Sequence, residues 1–185
     1  MADDHGLDDG VAGAWPAGLA LHELGRGAVE RRLIAEGPTR ARIARALDLV
    51  ELKSLEAKLR VTPWLDGALI EGLWTATVVQ ICGISLEPFE TALGGKLSVR
   101  AAPSGSSALS VELDHEIELD PEAEDPPDEI TDGVLPLGTY VVEDLSLAID
   151  PFPRKPGAAF QPPPEPTEPS PFAVLARLKD TDRKS

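Results

Sequence analysis

Apolar and polar residues alternate most clearly between Leu55 and Leu65, where Leu55, Ala57, Leu59 and Val61 interleave with Glu56, Lys58, Arg60 and Thr62. That period of two marks a strand with one face in a core. Asp66-Gly67 follows, a dipeptide favoured in two-residue hairpin turns whose central residues both take positive φ. The return segment ALIEGLWTATVVQI (68–81) is apolar on both faces, which predicts a central strand. Another strand is expected over 89–101, with Gly94-Gly95 marking a bulge or bend, because glycine removes the side chain that would resist one. After a loop at 103–107, ALSVELDHEIEL (108–119) alternates Val111, Leu113, His115, Ile117 and Leu119 with acids. It predicts a strand whose outer face is negatively charged.

The flanks carry shorter patterns. AGLALHEL (17–24) and AVERRLIAE (28–36) are compatible with strands. GPTRARIARALDL (37–49) predicts a helix, with Pro38 in its first turn, Ile43, Ala46 and Leu47 on one face, and Arg42 and Arg45 at the border. Within 132–157 a helix of about ten residues is expected from the spacing of Val141, Leu145 and Ala148. Pro151 and Pro153 end it, since a residue before proline is pushed out of the α region. QPPPEPTEPSP (161–171) reads as an extended linker of polyproline character, and FAVLARLKD (172–180) as a short amphipathic helix or docking segment using Phe172, Leu175 and Leu178. The expected organisation is a disordered tail at 1–16, one α+β domain at 17–160 containing the acidic segment 112–132, the linker at 161–171, a helix at 172–179 and a tail at 180–185. The fold class is α+β: a mostly antiparallel sheet built on the hairpin at 55–81, barrel-like closure being one form open to it, with two or three short helices and disordered Pro-rich and acidic segments.

Composition limits what can pack. The chain has 185 residues, 18 of them proline and only 4% aromatic. Proline-rich polar segments bury too little apolar surface to offset the entropy of ordering them. A single cysteine rules out an internal disulfide or a multi-cysteine zinc site and fits a reducing compartment. The N-terminal MADDHGLDDG is acidic and has no apolar run, and no stretch approaches the roughly 18–20 apolar residues of a membrane span, so a soluble cytoplasmic protein is expected. The formal charge of −15 hides its distribution. Between Glu112 and Asp132 lie eleven acids and no Lys or Arg, whereas Arg26, Arg31, Arg32, Arg40, Arg42 and Arg45 fall within one short stretch beside only Glu30 and Glu36.

Catalytic motifs fail on inspection. Gly94-Gly95-Lys96 resembles a phosphate loop, but Glu90 stands where that loop needs glycine and Leu97 where it needs a hydroxyl. Gly25-Arg26-Gly27 lacks the third glycine of a dinucleotide fingerprint, and neither a nucleophile elbow nor a His-Glu-x-x-His pair occurs. His5, His22 and His115 are scattered and read as ordinary histidines. The acidic run reads as a solvated face or an interaction tail rather than a catalytic carboxylate pair. Cys82 has Gln80 and Glu87 as sequence neighbours; an acid nearby raises a thiol pKa, so Cys82 reads as a small buried residue, not a nucleophile. The arginines leave two readings standing, phosphate contacts or a helix made soluble by charge.

Three ordered stretches, ATVVQICGISLEPFE (76–90), EDPPDEITDGVLPLGTYVVEDLSLAIDPFPRKPGAAF (124–160) and PFAVLARLK (171–179), resemble the YceD family, the large ribosomal RNA subunit accumulation proteins, and most closely its alphaproteobacterial branch. The likeness runs from about residue 17 to 179 and rests on Gln80, Cys82, Leu86, Glu87, Pro88, Gly138, Glu143, Leu145, Asp150, Pro151, Pro153, Arg154, Pro156 and Gly157. The resemblance implies a non-enzymatic factor for accumulation or processing of large-subunit (23S) ribosomal RNA, with no cofactor, small-molecule substrate or membrane partner. Its RNA contacts would fall on Arg31, Arg32, Arg40, Arg42 and Arg45 with Arg154 and Lys155. An alternative is an acidic interaction module or chaperone that engages a basic ribosomal protein through 112–132. Relatives often carry a Cys-x-Arg-Cys-Leu-Glu-Pro motif and a second cysteine group, suggestive of zinc. Here Ile84 and Ser85 replace the Arg and the second Cys, and DPFPRKPG (150–157) has no cysteine, so no metal is expected. Closure of this corner would instead come from packing of Leu86, Pro88 and Phe89 and from the stiff proline-rich segment.

Overall fold

The computed structural model describes residues 11–110 and 126–160. Seven strands form: β1 (Leu19–Ala20), β2 (Val29–Ile34), β3 (Glu51–Trp64), β4 (Gly67–Ile81), β5 (Pro88–Pro103), β6 (Asp128–Ile130) and β7 (Val134–Leu135). Three α-helices, α1 (Gly37–Ala46), α2 (Ser107–Ser110) and α3 (Leu137–Ala148), and 3-10 turns at Val11–Gly13 and Leu21–Arg26 complete the described residues. The main sheet has the order β2-β3-β4-β5-β6, antiparallel except for the parallel β5–β6 pair, and β1 and β7 make a separate antiparallel ribbon. The fold is thus α+β.

Alternation along β3 produces the core directly. Leu55, Ala57, Leu59 and Val61 are all buried, and Glu56, Lys58 and Arg60 point the other way. Ile43 of α1 and Val141 and Leu145 of α3 join the same core as Trp74 and Ile70 of the sheet. Each fully buried side chain of this size contributes about 1.5–3 kcal/mol. Because two helices cover the apolar face, the sheet has no need to close on itself. The barrel-like form is accordingly not adopted: among the described residues β2 and β6 are the sheet's edge strands and do not pair with each other.

The helices end where their residues dictate. Pro38 lies in the first turn of α1, after Glu36 in extended conformation. At its other end Asp48 takes φ 52°, Asp48 N–H donates to Arg45 O at 3.3 Å and Leu49 N–H to Ala44 O at 2.8 Å, the two bonds of a Schellman cap. α3 runs 12 residues and stops before Pro151, as expected.

Several expectations are corrected. Residues 11–16 are not a disordered tail: Ala14 and Trp15 are buried, and Trp15 packs so closely on Gly138 that a Cβ there would lie 2.2 Å from the Trp15 carbonyl. Only Leu19–Ala20 of 17–24 is strand; the 3-10 turn that follows buries Leu24. The β3–β4 hairpin turns at Leu65-Asp66, one residue early, with Leu65 at φ 53°. Gly67 is instead the first residue of β4, and it must be small because a Cβ would sit 2.0 Å from Ala101 O of β5. Gly94-Gly95 makes no bulge, since the β4–β5 register is continuous; the irregularity falls between Leu52 and Ser54 of β3. Gly95 is required because the Trp74 indole lies over it and donates to Asp144 of α3. Of the strand expected at 108–119, residues 108–110 are helical and the rest lies outside the described residues. So do most of the acidic segment, the Pro-rich linker and the C-terminal helix.

Candidate functional site

The solvent-facing side of the sheet carries no helix among the described residues. Strand register sets its side chains in rows. One row runs Arg32, Lys58, Leu73, Lys96 across β2, β3, β4 and β5, and the next runs Glu30, Arg60, Glu71, Ser98. Neighbouring strands are about 4.8 Å apart, so each row spans roughly 14 Å. A depression of about 750 Å³ follows these rows. Leu73, 62% exposed, stands between Lys58 and Lys96; β4 is central as expected, but at Leu73 its outer face meets solvent rather than a second layer.

The cations on this face are held to different degrees. Arg32 grips Glu56 with two hydrogen bonds of 2.8 and 3.0 Å, which raises the guanidinium pKa and lowers that of Glu56. Lys58 touches the same carboxylate only at 4.0 Å, and Arg60 lies 3.6 Å from Glu30. Lys96 has no acidic partner among the described residues. At the far end Arg100 lies over the Trp64 ring, 5.5 Å from its centroid. Exposed ion pairs of this kind are weak, because solvent and salt screen them.

The arginines singled out by sequence do not form one surface. Arg31 and Arg32 are adjacent on a strand and point to opposite faces; Arg31 pairs with Glu23 at 2.7 Å. Arg40 donates to Ala35 O, and with Arg45 it borders a groove that also contains Asp48 and Glu51. Arg42 turns the other way, toward the Ala14 carbonyl at 3.4 Å. Arg154 and Lys155 lie beside Cys82, in a third region. Lys58, Arg60 and Lys96 were legible only as polar positions on strands; their alignment needs the strand order.

The family-like residues do converge. The β4–β5 connection turns on itself through Cys82 N–H to Glu87 O and Leu86 N–H to Cys82 O, both 2.9 Å, with Leu86 at φ 58°. Residues 150–157 strap across it: Gly83 N–H donates to Pro153 O at 2.9 Å, Gln80 Nε2 to Asp150 O at 3.0 Å, and Lys155 Nζ pairs with Glu87 at 2.7 Å. Cys82 is fully buried, as expected, and its Sγ accepts N–H bonds from Ile84 and Ser85 at 3.4 Å and from Lys155 at 3.3 Å. The Ser85 hydroxyl and N–H, then the Lys155 and Ile84 N–H groups, push the thiol down from its ordinary 9.0 to about 6 against the opposing effect of burial. The expectation that Glu87 would raise it fails, because Glu87 is engaged by Lys155, which lowers the carboxyl pKa. Closure is also less apolar than expected: Leu86 is 75% exposed and Pro88 is exposed, so hydrogen bonds rather than packing hold the corner. One thiolate beside Ser85 does not make a zinc site, and no group of three ligands occurs among the described residues.

The other family-like positions are structural: Gly138 admits Trp15, Leu145 is fully buried, and Gly157 takes φ 80°. Glu143 lies near Asp128, and burial followed by that charge raises its pKa.

Fold and site together define an α+β protein with one helix-covered and one open, cation-bearing sheet face. No protein-family model, curated protein or solved structure matches the chain. No helix among the described residues is long and apolar enough to cross a membrane.

Proposed function

We propose that this chain is a non-enzymatic ribosome biogenesis factor that binds pre-ribosomal RNA and serves accumulation or processing of the large-subunit (23S) RNA. The observation that carries the RNA contact is the open sheet face, where Lys58, Arg60 and Lys96 stand within two strand spacings of one another with weak or no acidic partners among the described residues. The choice of RNA rests on the resemblance of 76–90, 124–160 and 171–179 to the YceD family. Net charge is no obstacle, because residues 11–110 hold 11 Lys and Arg against 10 Asp and Glu, and the acidic excess lies elsewhere. Crosslinking in cells followed by sequencing of the attached RNA tests this. Enrichment of large-subunit precursor reads that disappears in Lys58→Glu is expected; reads spread over all cellular RNA would overturn the assignment.

The acid-base segregation also favours a second reading, an acidic module that keeps a basic large-subunit protein soluble. Nuclease-resistant complexes with such a protein, unaffected by Lys58→Glu, would establish it over the first.

A further inference from the structure

β5 is 16 residues long, yet on the side away from β4 only Ala101–Pro103 is paired among the described residues, by β6. Among the described residues the edge over 88–100 therefore presents a row of unpaired backbone groups, a template for another strand. Its β4 register is unbroken, so no bulge twists it away, and its one proline, Pro88, stands at the start.

The sequence of this edge is self-complementary about Leu93. Glu90 and Lys96 stand three residues to either side, Phe89 and Leu97 four, and Ala92 and Gly94 one. We propose that two copies of this chain pair antiparallel through β5, with Leu93 on the two-fold axis. Residues facing each other across two strands share a sheet face, so the axis must pass through a residue and not between two. With the axis at Leu93, Glu90 faces Lys96 of the second copy on the open side, twice by symmetry, and Phe89 faces Leu97 on the core side. Moving the axis to Gly94 sets Lys96 against Ala92, and moving it to Ala92 sets Glu90 against Gly94; both lose the charge pairs. Glu90 already binds Lys53, but a carboxylate has two oxygens and accepts both cations. Ala92, Gly94 and Gly95 keep the centre of the contact free of bulk. The axis stands normal to the sheet, so the two open faces join into one surface carrying Lys58 and Arg60 of both copies, while each Lys96 is drawn to Glu90 across the seam.

This pairing does not depend on the RNA reading, and its test is separate. Sedimentation of the full-length chain at micromolar concentration should give twice the 19.6 kDa chain mass. Glu90→Lys and Lys96→Glu each turn both symmetric pairs repulsive and should weaken the dimer about ten-fold, and the Glu90→Lys/Lys96→Glu exchange should restore it. Both positions are exposed, so the variants keep the fold, which circular dichroism verifies. A dimer indifferent to either reversal, or one the double exchange fails to restore, would overturn the proposal. So would a monomer, and amide exchange over 89–97 then tells whether the chain covers this edge itself.

Discussion

The salt dependence of RNA binding gives the sheet face its sharpest test. Lys58, Arg60 and Lys96 are the cations there least committed to acids, whereas Arg32 is held bidentate by Glu56. Each phosphate they neutralise releases counterions, and the slope of log K against log salt is about −0.7 per contact for single strands and −0.9 for duplex. Three contacts predict a slope of roughly −2 to −2.7, a loss of about 20- to 40-fold in affinity between 50 and 200 mM salt. Fluorescence anisotropy with a labelled large-subunit RNA fragment measures it. Lys58→Ala and Arg60→Ala, both remote from the β5 edge, should each reduce the slope by about 0.7–0.9. The comparison variants are Arg42→Ala and Arg45→Ala on α1. If these flatten the slope and the sheet variants leave it unchanged, the helix is the contact and the reasoning from strand register is wrong.

Three outcomes follow from the packing and the cysteine corner. Gly95→Ala places a Cβ 2.7 Å from Trp74 Nε1 and 2.8 Å from Asp144 Oδ2; because Trp74 is buried and cannot swing aside, about 1–3 kcal/mol of stability should be lost, read as a Tm lowered by several degrees. A neutral result would show that α3 can lift from β5 at little cost. The Cys82 thiol titrates near 6 when folded and at its ordinary 9.0 when unfolded, so its contribution is complete above pH 9 and lost as pH falls through about 6. Tm should rise with pH across that window in the native protein and rise less in Cys82→Ala; equal slopes would place the folded thiol at its ordinary pKa. Finally, EDTA should leave Tm unchanged, since N–H donors occupy the Cys82 sulfur, and a chelator-induced fall would mean that a metal closes the corner.

What the sequence made legible was whatever its local period controls. The β3 face, the α1 start at Pro38 and the α3 stop before Pro151 depend on residues close in the chain, and all appear. Four misses share one cause, a partner distant in sequence. Gly67 looked like a turn residue, but the β5 backbone fixes its size. Gly95 looked like a bend, but Trp74 from β4 and Asp144 from α3 close over it. Trp15 sits next to an acidic tail and is buried because Gly138 leaves room for it. At Cys82 the visible neighbour was Glu87; its neutraliser, Lys155, comes from the strap after α3, and backbone N–H donors leave no trace in composition.

The candidate RNA face was hidden for a related reason. Lys58, Arg60 and Lys96 read one at a time are solubilising residues on strands, while the six clustered arginines draw the eye as a patch. A strand or helix distributes neighbours around its axis, so proximity in sequence scatters Arg31 and Arg32 to opposite faces, and antiparallel register brings Lys58 and Lys96 to the same row. The same geometry explains how an acidic chain can bring cations together on one face. At physiological ionic strength charges more than about 8 Å apart are largely screened. Lys58 and Arg60 lie two positions apart on one strand, roughly 7 Å, and act on the same stretch of phosphates. The surplus acids lie outside residues 11–110, so a charge summed over the whole chain says little about what this face attracts.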